Sequence, residues 1–511
     1  MNIPFILTAI TFVPLLGAII IMFIPKENEG GIKLIAQLFS LPSLVLSVLL
    51  WAGYNSAQSG YQFVERYDWI PSLKVQYLMA VDGLSIPLIF LTTLLITLSL
   101  WYSARVVNKR VKEFFALFLM LEMGMLGVFV ALDLVLFYFF WEIGLVPMFL
   151  LIGIWGQAKD RPQYSAIKFF LYTLVGSVAM LLAFIGIFLD TGTWDVTAIP
   201  ALSPLANAPV LATVAFFAIF LAFAIKVPLW PFHTWLPDAH TAAPTAGSVI
   251  LAGVLLKLGG YGMIRMLIPF FPEVFQFNAN LIATLGIISM IYGALVTMAQ
   301  TDLKRLIAYS SVSHMGYFML GLAASMATLD ASSLDSRTHA LNGAVLQMFN
   351  HGIITGGLFF LVGVIYERTH TRDLRDFGGL SGRIPVYYLI MMITAFASLG
   401  LPGLAGFISE FLVFRGAFAT MPVMAIIGII AIVLTAAYIL WKIIQNVFLG
   451  EFDEGKWKRI FDAEHWSFGE DMAPFERWTM APLVVGMILI GVYPPVILSI
   501  INEASRAILG G

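Results

Sequence analysis

Apolar stretches of roughly twenty residues follow one another along almost the whole chain. A helix needs about 20 apolar residues to cross a hydrocarbon core roughly 30 Å thick. Clusters of Pro, Gly and charged residues separate the stretches, as expected of loops between membrane helices. The pattern predicts an all-α integral membrane protein with about 14 transmembrane helices, near residues 3–24, 32–53, 82–104, 113–131, 134–155, 165–189, 209–238, 241–265, 279–299, 303–326, 341–366, 386–418, 422–449 and 480–501.

Helix breakers interrupt two of these stretches. The seventh, 209–238, contains Pro228 and Pro231, and the twelfth, 386–418, contains Pro402. Proline lacks a backbone N–H and therefore removes a helical hydrogen bond. Inside a membrane the freed backbone groups are tolerated only where protein or water satisfies them. We predict that helices 7 and 12 are discontinuous.

The two predicted breaks lie five helices apart. Broken helices at matching places in two halves are typical of transporters built from inverted repeats. We therefore predict two inverted five-helix repeats, helices 4–8 over residues 113–265 and helices 9–13 over residues 279–449. Both would lie within a single polytopic membrane domain spanning residues 1–511.

Composition excludes several classes of protein. The chain is 60% hydrophobic and 11% charged, which leaves too little polar surface for a soluble domain. A net charge of -2 spread over short loops provides no basic patch for nucleic acid. The absence of cysteine excludes disulfides, thiolate metal sites, iron–sulfur clusters and cysteine nucleophiles in this chain. We expect no catalytic, cofactor-binding or metal-binding residues here.

Lys and Arg are distributed unequally between the two sets of loops. Cytoplasmic loops are enriched in these residues. The loops joining helices 1–2, 3–4, 5–6, 9–10, 11–12 and 13–14 would hold eighteen of them, against six on the opposite side. The first stretch, 3–24, lacks a basic flank and a cleavage site, so we expect a retained helix. The pattern predicts a multi-pass protein of a bacterial inner membrane with both termini on the periplasmic side.

Glu142 and Lys226 are ionisable residues within predicted membrane helices. Such residues cost several kcal/mol on insertion and therefore suggest function. Glu142 lies near the centre of helix 5, with no other charge within a turn. Lys226 lies at the break in helix 7, where freed carbonyls and water can solvate an ammonium group. If the two pair, a change in the proton on one changes the proton affinity of the other. A purely structural salt bridge is the alternative.

Four further residues extend this set into the second half of the chain. Lys257 lies in helix 8, and Glu410 lies eight residues after the proline of the second break. His314 follows a hydroxyl-rich stretch in helix 10, and His351 lies in helix 11. Imidazoles suit proton transfer near neutral pH, although a single buried histidine is equally often a packed core residue. The alternation of carboxylate, ammonium and imidazole predicts a proton channel or antiporter.

Secondary candidates flank this set. Glu122 in helix 4 is either a relay group or a protonated partner in an interhelical hydrogen bond. His233, Asp238 and His240 surround the turn between helices 7 and 8, where they could form a cytoplasmic site of proton uptake. Lys168 and Lys442 lie close enough to helix ends to snorkel and are not included.

Three motifs resemble a known family. They are Phe140–Glu142, Lys226–His240 (KVPLWPFHTWLPDAH) and Ala308–Gly316 (AYSSVSHMG). Together they are similar to the antiporter-like subunits of respiratory complex I, the proton-translocating NADH:quinone oxidoreductase. The resemblance covers nearly the whole chain, most strongly about 110–450.

Within that family the chain resembles the M type, the counterpart of mitochondrial subunit 4. Glu410 stands where the L and N types look to carry lysine. The predicted helices leave no long lateral C-terminal helix of the L type. The loop Tyr366–Arg372 resembles an M-type signature.

The resemblance implies roles for these residues. Glu142 and Lys226 would form the pair of the first half-channel, Lys257 the central relay and Glu410 the end of the route, with His314 and His351 connecting the second half. It also implies that NADH, FMN, the iron–sulfur clusters and the quinone are bound by partner subunits. The partners would be other complex I subunits, especially the L and N types, together with membrane lipids.

Two other functions remain open from the sequence. A subunit of a multisubunit cation/proton antiporter would share the fold and the buried charges without a redox partner. A structural membrane spacer would use the same charges only to hold helices together. In that case, neutralising the charges would impair assembly more than activity.

Overall fold

The chain folds into a bundle of long helices. In the computed structural model, residues 4–58, 60–455, 457 and 471–510 are described. The helices are α1 (Ile6–Phe23), α2 (Glu29–Gly53), α3 (Ser85–Val106), α4 (Val111–Val130), α5 (Leu134–Trp155), α6 (Pro162–Thr191), α7 (Pro209–Lys226), α8 (Trp235–Ala242), α9 (Thr245–Phe270), α10 (Pro272–Ala299), α11 (Leu303–Ser325), α12 (Leu334–Thr369), α13 (Pro385–Leu399), α14 (Ala405–Thr420), α15 (Pro422–Phe448), α16 (Pro474–Val492) and α17 (Pro495–Ile508).

Twelve helices in the described part of the chain are long and apolar enough to cross a membrane. A mostly helical membrane fold is therefore confirmed, whereas the count of fourteen stays a prediction. The two remaining stretches differ for identifiable reasons. The first is α11, which is 23 residues long but begins with two basic residues and contains a polar Ser and His segment. The second is divided between α13 and α14, each too short to cross alone.

A β-hairpin between α2 and α3 was not predicted. Strand β1 (Gln62–Ile70) pairs antiparallel with β2 (Val75–Val81), and Arg66 lies opposite Leu78 in the register. The strands are rich in aromatic and β-branched residues, which favour extended backbone. The all-α description is therefore wrong for this short segment. The segment was missed because it is too short and too polar to be recognised as a membrane span.

Both predicted helix breaks are present. Helix α7 ends at Lys226 and α8 begins at Trp235, after the prolines of the seventh stretch. Helix α13 ends at Leu399, and Gly400 adopts a left-handed conformation with φ of 80° before α14 begins. Each break is the fourth span of its predicted five-span set. The inverted relation between the two sets stays a prediction.

The last predicted span needs correction. The stretch 480–501 is not one helix, because α16 ends at Val492 and α17 starts at Pro495. Consecutive prolines at 494 and 495 explain the separation, since proline favours the first turn of a new helix. Ile3, at the start of the first predicted span, and the loop residues Lys456, Lys458 and Arg459 lie outside the described residues.

Three helices form the interior of the bundle. The apolar windows of α9 and α12 are completely buried, and α11 is buried along almost its whole length. Helix α12 packs against α11 and α14, while α10 packs along α11. Side chains on these helices are therefore shielded from surrounding lipid by other parts of the same chain.

Candidate functional site

Four of the predicted site residues form a row through the interior of the bundle. Lys257 Nζ lies 2.7 Å from His351 Nδ1. The rings of His351 and His314 are 6.0 Å apart between centroids. His314 Nδ1 lies 3.7 Å from Glu410 Oε1. All four side chains are buried, so helices α9, α12, α11 and α14 each contribute one ionisable group to the interior.

A small cavity lies beside this row. It has a volume of about 10 Å³ and is lined by His314, His351 and Glu410 together with Gln347 and Ser398. That volume is close to the minimum for one water molecule, and the lining offers several polar partners. One water here could bridge the two histidines, which do not touch directly. The cavity therefore fits a proton-conducting row.

Two hydroxyl groups lie close to His314, next to the Glu410 end of the row. The Ser398 Oγ lies 3.0 Å from His314 Nε2, and the Tyr438 hydroxyl lies 3.5 Å from the same nitrogen. Gly400 sits directly against Glu410, because a Cβ at Gly400 would lie 2.7 Å from Glu410 Oε2. The broken helix therefore supplies both the carboxylate and the space that it occupies.

Lys257 is held by an irregular segment of its own helix. Residues Leu251–Leu255 form a π-helical turn within α9. The ammonium group of Lys257 donates to the carbonyl of Ala252 in this turn. π-helical turns occur frequently at functional sites, where they shift the hydrogen-bonding pattern of the backbone. Here the turn gives a buried lysine an acceptor without a carboxylate.

Glu142 and Lys226 face each other in the first half without forming a contact. The charge of Glu142 acts on Lys226, but no pair of their N and O atoms lies within 4.0 Å. The ammonium of Lys226 instead lies 5.1 Å from the Trp141 ring centroid and 5.6 Å from that of Phe169. Glu142 Oε1 is buried and has no hydrogen-bond partner. The two charges therefore interact electrostatically without forming an ion pair.

An irregularity in α5 accompanies Glu142 and was not predicted. The helix is interrupted at Gly144, between Leu134–Ile143 and Leu145–Trp155. Gly124 of α4 packs against this point, since a Cβ there would lie 2.8 Å from the Gly144 nitrogen. A third break in the bundle thus lies two residues from a buried carboxylate, as the other two lie near Lys226 and Glu410.

The Glu142–Lys226 pair and the row that contains Lys257 meet at α9. A Cβ at Gly259 would lie 3.0 Å from the Cβ of Lys226, so the end of α7 packs closely on the helix that carries Lys257. No hydrogen bond joins the two lysine side chains. Of the six primary residues, the structure joins Lys257 to His351 and His314 to Glu410 by direct contacts, and it places Lys226 beside the helix that carries Lys257.

Glu122 lies apart from this region. Its Oε1 accepts a hydrogen bond of 3.5 Å from Ser40, and its Oε2 has no partner. Ser40 Oγ also lies 3.0 Å from Thr97 Oγ1. The carboxyl group therefore faces the packed helices α2 and α3 and not the row on α9, α11, α12 and α14, which fits the interhelical hydrogen bond considered from the sequence.

The residues around the turn between α7 and α9 have different surroundings. Asp238 forms ion pairs with Lys168 at 2.7 Å and with Arg305 at 3.6 Å. His233 and His240 are buried, and neither ring nitrogen of either residue has a hydrogen-bond partner. His240 therefore remains free to take part in proton transfer, while Asp238 is neutralised by two cations.

Several buried basic residues were assigned to loops from the sequence. Lys304, Arg372, Arg265 and Arg337 are each at most 3% exposed. Lys304 lies in the first turn of α11, two residues after Asp302, which caps that helix. The capping pattern of Asp302 could have placed Lys304 inside the helix. The acidic partners of Arg265 and Arg372 are distant in sequence, and Arg337 donates to the carbonyl of Ser325 across a loop, so no local pattern indicates that these arginines are buried.

Comparison with known proteins identifies the family. The family NADH:quinone oxidoreductase/Mrp antiporter, TM matches residues 131–435. The chain is 43% identical to NADH-quinone oxidoreductase subunit M of Rhodobacter capsulatus, over 98% of this chain and 95% of that protein. It is 37% identical to NADH-ubiquinone oxidoreductase chain 4 of Chondrus crispus, over 99% and 97% of the two chains.

A solved structure gives the same result. The chain superimposes on a chain of respiratory complex I from Thermus thermophilus with bound NADH, with a TM-score of 0.84 and 30% identity. The match covers 99% of this chain and 100% of that one. This protein therefore belongs to the NADH:quinone oxidoreductase/Mrp antiporter family of membrane subunits, among full-length relatives named subunit M or chain 4.

Proposed function

We propose that this chain is a proton-translocating membrane-arm subunit of an NADH:quinone oxidoreductase. One observation carries the proposal: Lys257, His351, His314 and Glu410 form a buried row across four helices of a membrane bundle. Ionisable groups inside a membrane protein are expensive and mark ion or proton pathways. The row offers alternating donors and acceptors with space for a bridging water, which suits proton hopping.

In this proposal, Glu142 and Lys226 form the part of the proton route that switches between two states. Two opposite charges in electrostatic range, but without contact, can move between an open and a closed state. In the closed state the carboxylate stabilises the ammonium, and the proton stays on the lysine. In the open state the lysine loses that support and releases its proton toward Lys257. Movement at the breaks in α5 and α7 would switch between the two states.

The energy for transport would come from outside the chain. NADH, FMN, the iron–sulfur clusters and the quinone would be bound by other subunits of the complex, in line with a cysteine-free sequence. The neighbours would include the L-type and N-type antiporter-like subunits and membrane lipids. The chain would lie in the bacterial inner membrane with both termini on the periplasmic side, as the distribution of Lys and Arg favours.

A subunit of a cation/proton antiporter is the second candidate. The matching family includes Mrp antiporters as well as NADH:quinone oxidoreductases. The full-length relatives carry oxidoreductase names, which favours the first candidate. Purification of the native complex separates the two, because only the oxidoreductase would contain flavin and iron–sulfur subunits.

The test of the proposal is Glu142→Gln in the assembled complex. We expect NADH-driven proton pumping to fall at least about tenfold, because the amide cannot carry the charge that holds the proton on Lys226. Pumping is measured in proteoliposomes, with assembly checked on a native gel. Glu113→Gln is the matched control, since Glu113 is exposed and paired only with Arg110.

Two results would contradict this function. Unchanged pumping by assembled Glu142→Gln would make the residue a structural carboxylate. Loss of assembly, together with normal pumping by the small assembled fraction, would favour the structural spacer over a proton route.

A further inference from the structure

A cavity of about 260 Å³ opens on the side of the chain where the basic loops lie. Its lining includes Lys109, Gln157, Thr245 and Glu367, which come from the loops after α3 and α5, the start of α9 and the end of α12. Glu367 is exposed, so its carboxylate is accessible to water. The cavity therefore brings water and an acidic group to the edge of the buried helices.

Lys304 is buried directly behind this cavity. Its ammonium group donates to the carbonyl of Ala243, next to Pro244 and Thr245 in the cavity wall. The charges of Lys304 and Glu367 act on each other. Lys304 is 3% exposed, and no carboxylate oxygen lies within 4.0 Å of its nitrogen among the described residues.

The charged groups around Lys304 are engaged with one another. Arg372 lies 2.7 Å from Asp160 and 3.1 Å from Asp302, and it also donates to the carbonyl of Thr241. Lys159 is the other cation that acts on Lys304. Asp160 and Asp302 are therefore held by Arg372, and among the described residues Lys304 has no carboxylate in direct contact.

His240 lies in α8, three residues before Ala243, whose carbonyl accepts the hydrogen bond from Lys304. Its ring stacks on Phe359 with 4.8 Å between centroids and 4° between planes, and both ring nitrogens lack a partner. The positive charges of both Lys304 and Lys257 act on this ring. The imidazole also interacts electrostatically with His351. His240 is therefore a buried imidazole within electrostatic range of Lys304 and of the Lys257–His351 pair.

We propose that Lys304 takes up protons from the basic-loop side through this cavity and passes them by way of His240 to the Lys257–His351 pair. The proposal rests on the proposed function. The neutral amine of Lys304 accepts a proton from hydronium, leaving water. The Lys304 ammonium then protonates one nitrogen of His240, and the other nitrogen releases its proton to the neutral amine of Lys257. Lys304 returns to the neutral amine, whereas His240 is left as the opposite tautomer and must reorient its ring or exchange its proton before the next transfer.

This route differs from uptake at Asp238. Asp238 already forms ion pairs with Lys168 and Arg305. Among the described residues, the hydrogen-bond acceptor of Lys304 is the neutral carbonyl of Ala243, so loss of the lysine proton leaves no buried carboxylate unpaired. Protons would therefore enter the row at its first member, Lys257 on α9, without passing through Glu142.

The deciding variant is Lys304→Arg. A guanidinium keeps the positive charge and can still donate to Ala243, but it cannot be deprotonated in a protein. A structural role therefore tolerates the change, whereas proton uptake does not. We expect the assembled complex to lose NADH-driven pumping in proteoliposomes by at least about tenfold. Lys112→Arg, in the first turn of α4, is the matched control.

His240→Phe provides an independent variant if the larger arginine prevents assembly. Phenylalanine keeps the stack on Phe359 and removes two buried nitrogens that have no partner, so folding should not suffer. We expect this complex to assemble and to lose pumping to a similar extent. Normal pumping by either assembled variant overturns the proposal when Lys257→Met in parallel abolishes pumping. If Lys257→Met also pumps normally, the proposed function itself fails.

Discussion

Asp133 caps α5, the helix that carries Glu142. Its carboxylate accepts hydrogen bonds from the backbone nitrogens of Val135 at 2.9 Å and Leu136 at 3.1 Å, and from that of Gln76 at 3.0 Å. Burial nevertheless raises the pKa of Asp133 to about 6 from 3.8. One short side chain thus ties the start of a membrane helix to the β-hairpin and retains a proton more tightly than an exposed aspartate.

This raised pKa predicts a pH dependence of stability. The folded state binds the Asp133 proton more tightly than the unfolded state, so stability falls as pH rises from about 4 to about 6 and is level above that. Asn at this position keeps the cap acceptor without a charge. Asp133→Asn should therefore remove a slope amounting to at most about 3 kcal/mol.

The measurement is the thermal unfolding temperature of the full chain in detergent between pH 4 and pH 7.5, for wild type and Asp133→Asn. Glu273→Gln is the control, because Glu273 is an exposed acid in the first turn of α10. Parallel curves for wild type and Asp133→Asn would contradict the assignment of this slope to Asp133.

At the scale of elements, the contact between α7 and α9 positions Lys226. A Cβ at Gly259 would lie 2.8 Å from the carbonyl oxygen of Phe223 and 3.0 Å from the Cβ of Lys226. Small residues allow such close helix approach in membrane proteins. The position of Lys226 relative to the central row thus depends on a residue with no side chain.

Gly259→Ala should therefore destabilise the chain and impair pumping together. The added methyl group must push α9 away from the end of α7, at a cost of about 1–3 kcal/mol. Pumping per assembled complex should fall because Lys226 is displaced. The measurements are thermal unfolding and proteoliposome pumping. Gly186→Ala is the control, since no atom lies within 4 Å of a Cβ built there, and equal behaviour of the two variants would refute the packing role.

At the scale of the whole molecule, buried ion pairs connect distant segments. Arg265 of α9 lies 2.7 Å from Asp82, which follows the β-hairpin, and it donates to the Tyr61 hydroxyl at 2.9 Å. On the other side Arg372 joins the loops that precede α6, α11 and α13. Helix α9 is therefore fixed to the hairpin near one end, while Arg372 holds three loops together beside the other.

Removing one partner of the Arg265–Asp82 pair should be costly. Asp82→Asn leaves a buried guanidinium uncompensated and should lower stability by about 3–5 kcal/mol. The double variant Asp82→Asn with Arg265→Met should recover part of this loss. Thermal unfolding of the wild type, Asp82→Asn, Arg265→Met and the double variant measures the coupling between the two residues. Glu29→Gln, in the exposed pair with Lys33, should have little effect, and strictly additive losses at Asp82 and Arg265 would contradict the coupling.

Much of the fold could be predicted because the membrane restricts the choices. Apolar length defines most helices, since a spanning segment must satisfy its own backbone hydrogen bonds. The two breaks followed from Pro228 and Pro402, because proline removes a helical hydrogen bond wherever it stands. Two features were not predicted from the sequence. Consecutive prolines divide the last span into two helices, and the β-hairpin depends on pairing between its strands.

The candidate site, like the fold, could be predicted only in part from the sequence. The sequence by itself identified six ionisable residues within apolar stretches, because a charged side chain in such a stretch can be recognised without knowing its partner. The tertiary structure alone decided which of them meet. The contacts of Lys257 with His351 and of His314 with Glu410 join helices far apart in the chain. Lys304 became visible only when the packing of α8, α11 and α12 enclosed it, since burial depends on neighbours that no local pattern specifies.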